Sequence, residues 1–179
     1  MGNSERTVPD AAAYQPYIDL ALQKGVCHAV LVTPEDIAFD GRTLLKCMFG
    51  CGDWGKGPTC PSRDGALKPW EMEPLLRKYK AVLIVHTHDK KAAQAASFAV
   101  ERAAFLAGDA LAFSMSDCAL CAECAGHNGE ECRNIRMARP SFHSVGIDVF
   151  ATAKRLGLPL HTLANESEEQ NWYAAIWLN

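Results

Sequence analysis

The sequence predicts an α/β fold: a single domain, residues 1–179, with a largely parallel or mixed sheet, flanking helices and two cysteine-rich loops. Three observations point there. Strand-like and helix-like segments alternate from residue 81 onward, the order expected when helices connect the strands of one sheet. Ala81 to His86 is a short continuous apolar run, which suits a strand buried on both faces. Residues 47–69 gather cysteines among glycine and proline, and residues 116–134 hold four more at short spacing, so both segments read as ordered loop. A compact domain of this length buries roughly 70% of the surface of its unfolded chain and needs no staple to fold. With 49% apolar and 22% charged residues, the composition excludes a disordered or fibrous chain.

The elements follow in chain order. Residues 1–24 are assigned to an N-terminal helix whose periodic part is Asp10 to Lys24, where Tyr14, Tyr17, Ile18, Ala21 and Leu22 recur at three- and four-residue spacing before Gly25. Val26 to Val32 and Ile37 to Phe39 read as a strand pair turned at Thr33-Pro34-Glu35-Asp36. The first cysteine loop takes residues 47–69. Pro74 suits the first turn of a helix running to Lys80. The buried strand at residue 81 leads to an alanine-rich helix, Lys90 to Ala107, ended by Gly108, and then to a strand from Ala110 to Met115. After the second cysteine loop, Ser144 caps a helix running to Leu156 with Gly157 just beyond it. Leu160 to Leu163 and Tyr173 to Leu178 are the last strands expected.

A net charge of −3 leaves no basic footprint for nucleic acid or an anionic membrane, so neither is expected as a partner. The first ten residues carry no apolar signal segment, and Arg6 stands where a myristoylation motif wants Ser or Thr. No apolar run approaches the ~20 residues of a membrane span. The expected location is therefore cytoplasmic, where thiols stay reduced and clustered cysteines read as metal-binding or catalytic.

Eight cysteines are far more than such a core requires. The stronger constellation is Cys118-x2-Cys121-x2-Cys124-x7-Cys132. Three thiolates separated by two residues each can wrap one face of a cubane, and a fourth arrives from a short loop, as in ferredoxin-type [4Fe-4S] sites. Zinc is the alternative, although structural zinc sites usually draw on two separated Cys-x2-Cys pairs. The second constellation is Cys47-x3-Cys51-x8-Cys60-Pro61, among glycines that let backbone amides approach cluster sulfides. Cys27, inside Val26-Cys27-His28-Ala29-Val30, reads as a small core hydrophobe or as a fourth ligand to the first loop. One or two clusters are expected, held by Cys47, Cys51, Cys60, Cys118, Cys121, Cys124 and Cys132.

These motifs, with Ala138-Arg139-Pro140-Ser141 and Gly146-Ile147-Asp148-Val149, resemble an uncharacterised family of predicted metal-binding proteins, mostly from anaerobic bacteria and archaea. The resemblance spans roughly residues 25–179. It implies metal or iron–sulfur binding in the cytoplasm and supplies no reaction. The chain departs from the family pattern at Ser62, where a second proline is usual, and at Phe142-His143, where Met-Glu is usual.

Other residues are more ambiguous. His86 and His88, at the carboxyl end of a strand, are expected to point to opposite sides, with His88 or Asp89 capping the following helix. His127 reads as surface loop. Arg133, Arg136 and Arg139 crowd the exit of the second cysteine loop, where they would stabilise a reduced cluster, bind an anionic substrate or form surface ion pairs. Walker and dinucleotide loops, the nucleophile elbow and H-E-x-x-H are all absent. The leading expectation is an iron–sulfur protein of anaerobic metabolism, serving electron transfer or a redox enzyme, with a partner protein or a small-molecule substrate. The alternatives are a zinc-stabilised interaction domain and a non-redox enzyme using an open iron as Lewis acid.

Overall fold

A computed structural model describes residues 10–165 and 167–179, so the segment before Asp10, including the region read for targeting signals and the start of the 1–24 assignment, lies outside the described residues. Four strands form one sheet: β1 (His28–Val32), β2 (Ala81–Thr87), β3 (Phe113–Ser116) and β4 (Trp172–Leu178). Their order is β1-β2-β4-β3. The described residues also form five α-helices: α1 (Ala11–Gln23), α2 (Thr43–Gly50), α3 (Pro69–Leu76), α4 (Lys90–Leu106) and α5 (Val149–Leu156). None is long and apolar enough to cross a membrane.

The α/β class holds, but the largely parallel sheet does not: every neighbouring pair is antiparallel. Helix α4 does carry the chain from β2 to a strand running the same way, as a βαβ crossover would. The gap left between β2 and β3 is then filled by β4, which runs against both. Alternation explains why the apolar run at 81–86 misled. Ala81, Leu83 and Val85 pack under α1 and α4, while Val82 and Ile84 face Leu76 of α3, Ala153 of α5 and the loop residues Phe142, Val145 and Ile147. A sheet covered on both faces makes its central strand continuously apolar whatever its direction.

Local chemistry sets the boundaries. Asp10, Asp89 and Asp148 cap α1, α4 and α5 by accepting from the amides of Ala12, Ala92 and Ala151. Asp148, rather than Ser144, thus starts α5, and the Ser144 hydroxyl donates to the Ser141 carbonyl inside a 3₁₀ turn. Pro69, not Pro74, occupies the first turn of α3. Residues 37–39 give only an isolated bridge between Phe39 and Ile147, and 160–163 form no strand. β3 begins three residues later than expected, at Phe113. The first cysteine segment is not all loop, because α2 runs through Cys47.

β1 enters the sheet where β2 leaves it, pairing His28 with His86. The ends of β2 and β3, and the start of β4, lie at that same end of the sheet. Both cysteine loops gather beyond β3.

Candidate metal centre

Helix α2 presents Cys47 in its last turn, and Cys51 follows as the residue that ends it. A run of turns then leads to Cys60 and the buried Pro61. The second loop leaves β3 through Asp117 and Cys118, passes Cys121 and Cys124, and makes a 3₁₀ turn over Ala125–Asn128 before Cys132. All eight cysteines are free thiols.

Seven of them, Cys47, Cys51, Cys60, Cys118, Cys121, Cys124 and Cys132, line a single cavity of about 300 Å³. These are the seven the sequence singles out, and the fold brings both loops to one place. Cys27 does not belong. It is exposed at the start of β1, where its amide donates to the His86 carbonyl at 2.8 Å. β1 and β3 are the opposite edges of the sheet, three strand spacings or roughly 14 Å apart. The reading of Cys27 as core filler also fails, since the stretch that holds it is a sheet edge rather than interior.

The loops are tied to each other. Gly126 lies against the backbone of Lys56, where a Cβ would come within 1.9 Å of the carbonyl oxygen, so only glycine fits. Beside it, His127 Nε2 stands 2.8 Å from Asp53 Oδ1, giving a loop histidine a structural partner in the other loop. Further contacts fix the second loop to the scaffold. The side chain of Gln94, buried on α4, accepts from the Ala119 amide at 2.6 Å, between the first two cysteines of the motif. Arg139 donates through Nε to Glu101 at 2.8 Å, pairs with it through Nη2, and lies over the rings of Phe98 and Phe113. This arginine is therefore an anchor within the fold, not a site for an anion or a partner. Arg133 pairs with Glu130 at 2.9 Å and lines the cavity. The Arg136 carbonyl accepts from Arg139.

Donors already point at sulfur. Asn134 gives its side-chain amide to Cys121 Sγ at 3.1 Å and its backbone amide to Cys132 Sγ at 3.4 Å. The Gly55 amide donates to Cys60 Sγ at 3.4 Å, and Ser62 Oγ shares a 2.9 Å hydrogen bond with the same sulfur. Such bonds spread thiolate charge and tune a bound metal centre. Burial pushes the Cys47 thiol up to about 11, with Cys51, Cys60 and Asp117 adding repulsion. Burial also raises the Asp117 carboxyl, against the pull of Lys90 and His143. Burial and mutual repulsion thus disfavour the charged forms of these groups, a cost that a bound cation would relieve.

The chemistry of the donor set fits a thiolate-ligated metal centre, since seven cysteine side chains line one cavity. Among the described residues no three His, Cys, Asp or Glu side chains converge tightly enough to hold a single ion; the thiols surround a space instead. Gln94 Nε2 and Ser116 Oγ, both buried beside the second loop, have no partner of their own.

The histidines at the sheet edge form a separate cluster. His86 is fully buried; its Nδ1 lies 2.9 Å from that of His28, and its Nε2 lies 2.8 Å from Asn171 Oδ1. His88 meets His86 edge-on at 5.0 Å. The expected opposite orientation fails because residues two apart along an extended chain share a face. Asp89, not His88, caps α4.

Gln94, Asp117 and Asn134 escaped the sequence reading. One signal was present: an amide on the small-residue stripe of α4, between Ala93 and Ala96, wants a buried partner.

A protein-family model described as predicted metal-binding protein (DUF2284) matches residues 30–178. No curated protein and no solved structure matches the chain.

Proposed function

The chain belongs to this family of predicted metal-binding proteins, and from that premise we propose that it is an iron–sulfur protein whose seven cavity cysteines hold two four-iron clusters. The observation that carries the reading is that both cysteine loops line one cavity. Cys118, Cys121, Cys124 and Cys132 supply a complete set of thiolates from one loop, with Asn134 donating to two of the sulfurs. Cys47, Cys51 and Cys60 supply three from the other, with Gly55 and Ser62 bonded to Cys60. Bound there, four-iron clusters would supply one-electron transfer and, at an iron without a thiolate, Lewis acidity. The residues on the page hold the thiols in place, aim amides at them and tie the two loops together. The cavity is partly open, with Cys51 and Cys118 exposed, which gives a redox partner or a substrate access to the site.

A second reading, a non-redox enzyme with an open iron, draws on the position of Cys27. Seven thiols leave two cubanes one ligand short, and the eighth cysteine sits at the far edge of the sheet. That iron would take water or a substrate oxygen.

Anaerobically purified protein tests the proposal through its absorbance and its content of iron, zinc and acid-labile sulfide. A brown protein with iron and sulfide in equal amounts supports it. Stoichiometric zinc without sulfide removes it in favour of a zinc-stabilised domain.

A further inference from the structure

Beside the cysteine cavity lies a second one of about 410 Å³, and Asp117 and Ser141 line both. Its walls include four aromatic side chains, Phe142, Phe150, Trp172 and Tyr173, beside Leu160 and Leu163. Several of these are held independently of any ligand. Tyr173 donates its hydroxyl to the Pro159 carbonyl at 2.6 Å, the Lys90 ammonium lies 5.2 Å from the centre of the Trp172 ring, and Phe142 is buried in the core. Phe150, by contrast, is 45% exposed. A large apolar side chain left open at the rim of a preformed aromatic cavity is surface available to a ligand.

Asp117 and Ser141 mark the side shared with the cysteine cavity, and Thr162, Gln170 and Asn171 are further polar groups of the lining. Asp117 is the residue before Cys118, so its backbone is continuous with a cavity thiol. His143 stands on the aromatic side of Asp117 and Lys90 on the cysteine side. An acid and an imidazole in the lining, with Thr162 and Gln170 beside them, select against a plain hydrocarbon, which would leave these groups without hydrogen-bond partners. Flat rings suit the walls, because aromatic pairs gain more than their buried area alone.

We propose that this second cavity binds a small planar aromatic molecule carrying a hydroxyl or carbonyl oxygen, its ring against Phe150 and Trp172 and its oxygen toward Asp117 and His143. The ligand would then be separated from the metal centre only by Asp117 and Ser141. That adjacency matters to function through the iron–sulfur reading, whereas the binding itself does not depend on it.

Calorimetric titration of the purified protein with 2-naphthol tests the inference, with iron, zinc and sulfide measured on the same sample. The expected result is saturable binding of one molecule per chain. Phe150→Ala, at a half-exposed position where folding is not at stake, should weaken binding about tenfold. His143→Ala should weaken it too, whereas Leu75→Ala, exposed on α3, should leave it unchanged. Circular dichroism of each variant confirms the fold. No saturable binding by the parent, or equal affinity in the parent and both cavity variants, overturns the inference. The two failures are distinguishable. Binding by a protein without iron and sulfide leaves the cavity assignment standing and removes the iron–sulfur reading, while iron and sulfide without binding do the reverse.

Discussion

Gly126 is pressed against the carbonyl of Lys56 so closely that a methyl group in its place would lie 1.9 Å from that oxygen. Together with the contact of His127 with Asp53, this approach joins the loop of Cys118, Cys121, Cys124 and Cys132 to the loop of Cys47, Cys51 and Cys60.

Gly126→Ala must therefore push the loops apart. Overpacking of this kind costs roughly 1–3 kcal/mol, and here the neighbour is backbone that cannot rotate away. The variant should melt at a lower temperature and retain less metal. Hydrogen exchange should rise at residues 51–57 and 125–129 while α4 stays protected.

The two groups of cysteines separate by substitution. Cys121→Ala should lose about half of the bound iron, because on the proposed function it breaks one of two four-iron sites. Cys27→Ala should keep all of it. Iron and sulfide analysis checks both, and iron loss in Cys27→Ala would make the far-edge thiol a ligand.

Much of this arrangement was legible before the fold was known, and the part that was not has physical reasons. The cysteine spacing named the seven cavity residues because short spacing confines ligands to one loop whatever the surrounding topology. Strand direction could not be read, since Ala81–Val85 looks the same in a parallel or an antiparallel sheet once both faces are covered. Cys27 was misjudged because apolar neighbours signal a strand but not whether it lies at the edge. Gly126 and Gln94 act across long sequence separations, on Lys56 and Ala119, and no local pattern marks such a partner.

Arg139 should prove structural. It is largely buried with Glu101, and the Ser114 amide donates to the same carboxylate at 2.7 Å. Arg139→Ala would strand a buried carboxylate, a change that typically costs about 3–5 kcal/mol, measurable by urea unfolding. Burial alone would raise the Glu101 carboxyl, but the bonds from Arg139 and Ser114 outweigh it and hold it below the usual 4.5. A carboxyl lowered by folding stabilises fully above its unfolded value and loses that contribution as pH falls through the folded one. Stability of the parent should decline through that acid window, and Glu101→Gln should show a shallower decline.

The His86 cluster titrates the other way. Burial pulls its imidazole below the usual 6.5, against the Asn171 bond, with His28 and His88 lowering it further. As pH falls below about 6.5 the unfolded chain takes up this proton before the folded protein does, so stability drops until the folded value is reached. A thermal-stability profile from neutral pH downward should show this slope in the parent and lose it in His86→Gln.

The central claim is that the two cysteine loops together hold iron–sulfur clusters. X-ray absorption at the iron and zinc edges of anaerobically purified protein tests it most directly. The account predicts iron with a sulfur shell and a short iron–iron vector, at about eight iron atoms per chain, four for each of two clusters. Zinc with four sulfur ligands at about 2.3 Å and no metal–metal scattering would contradict it.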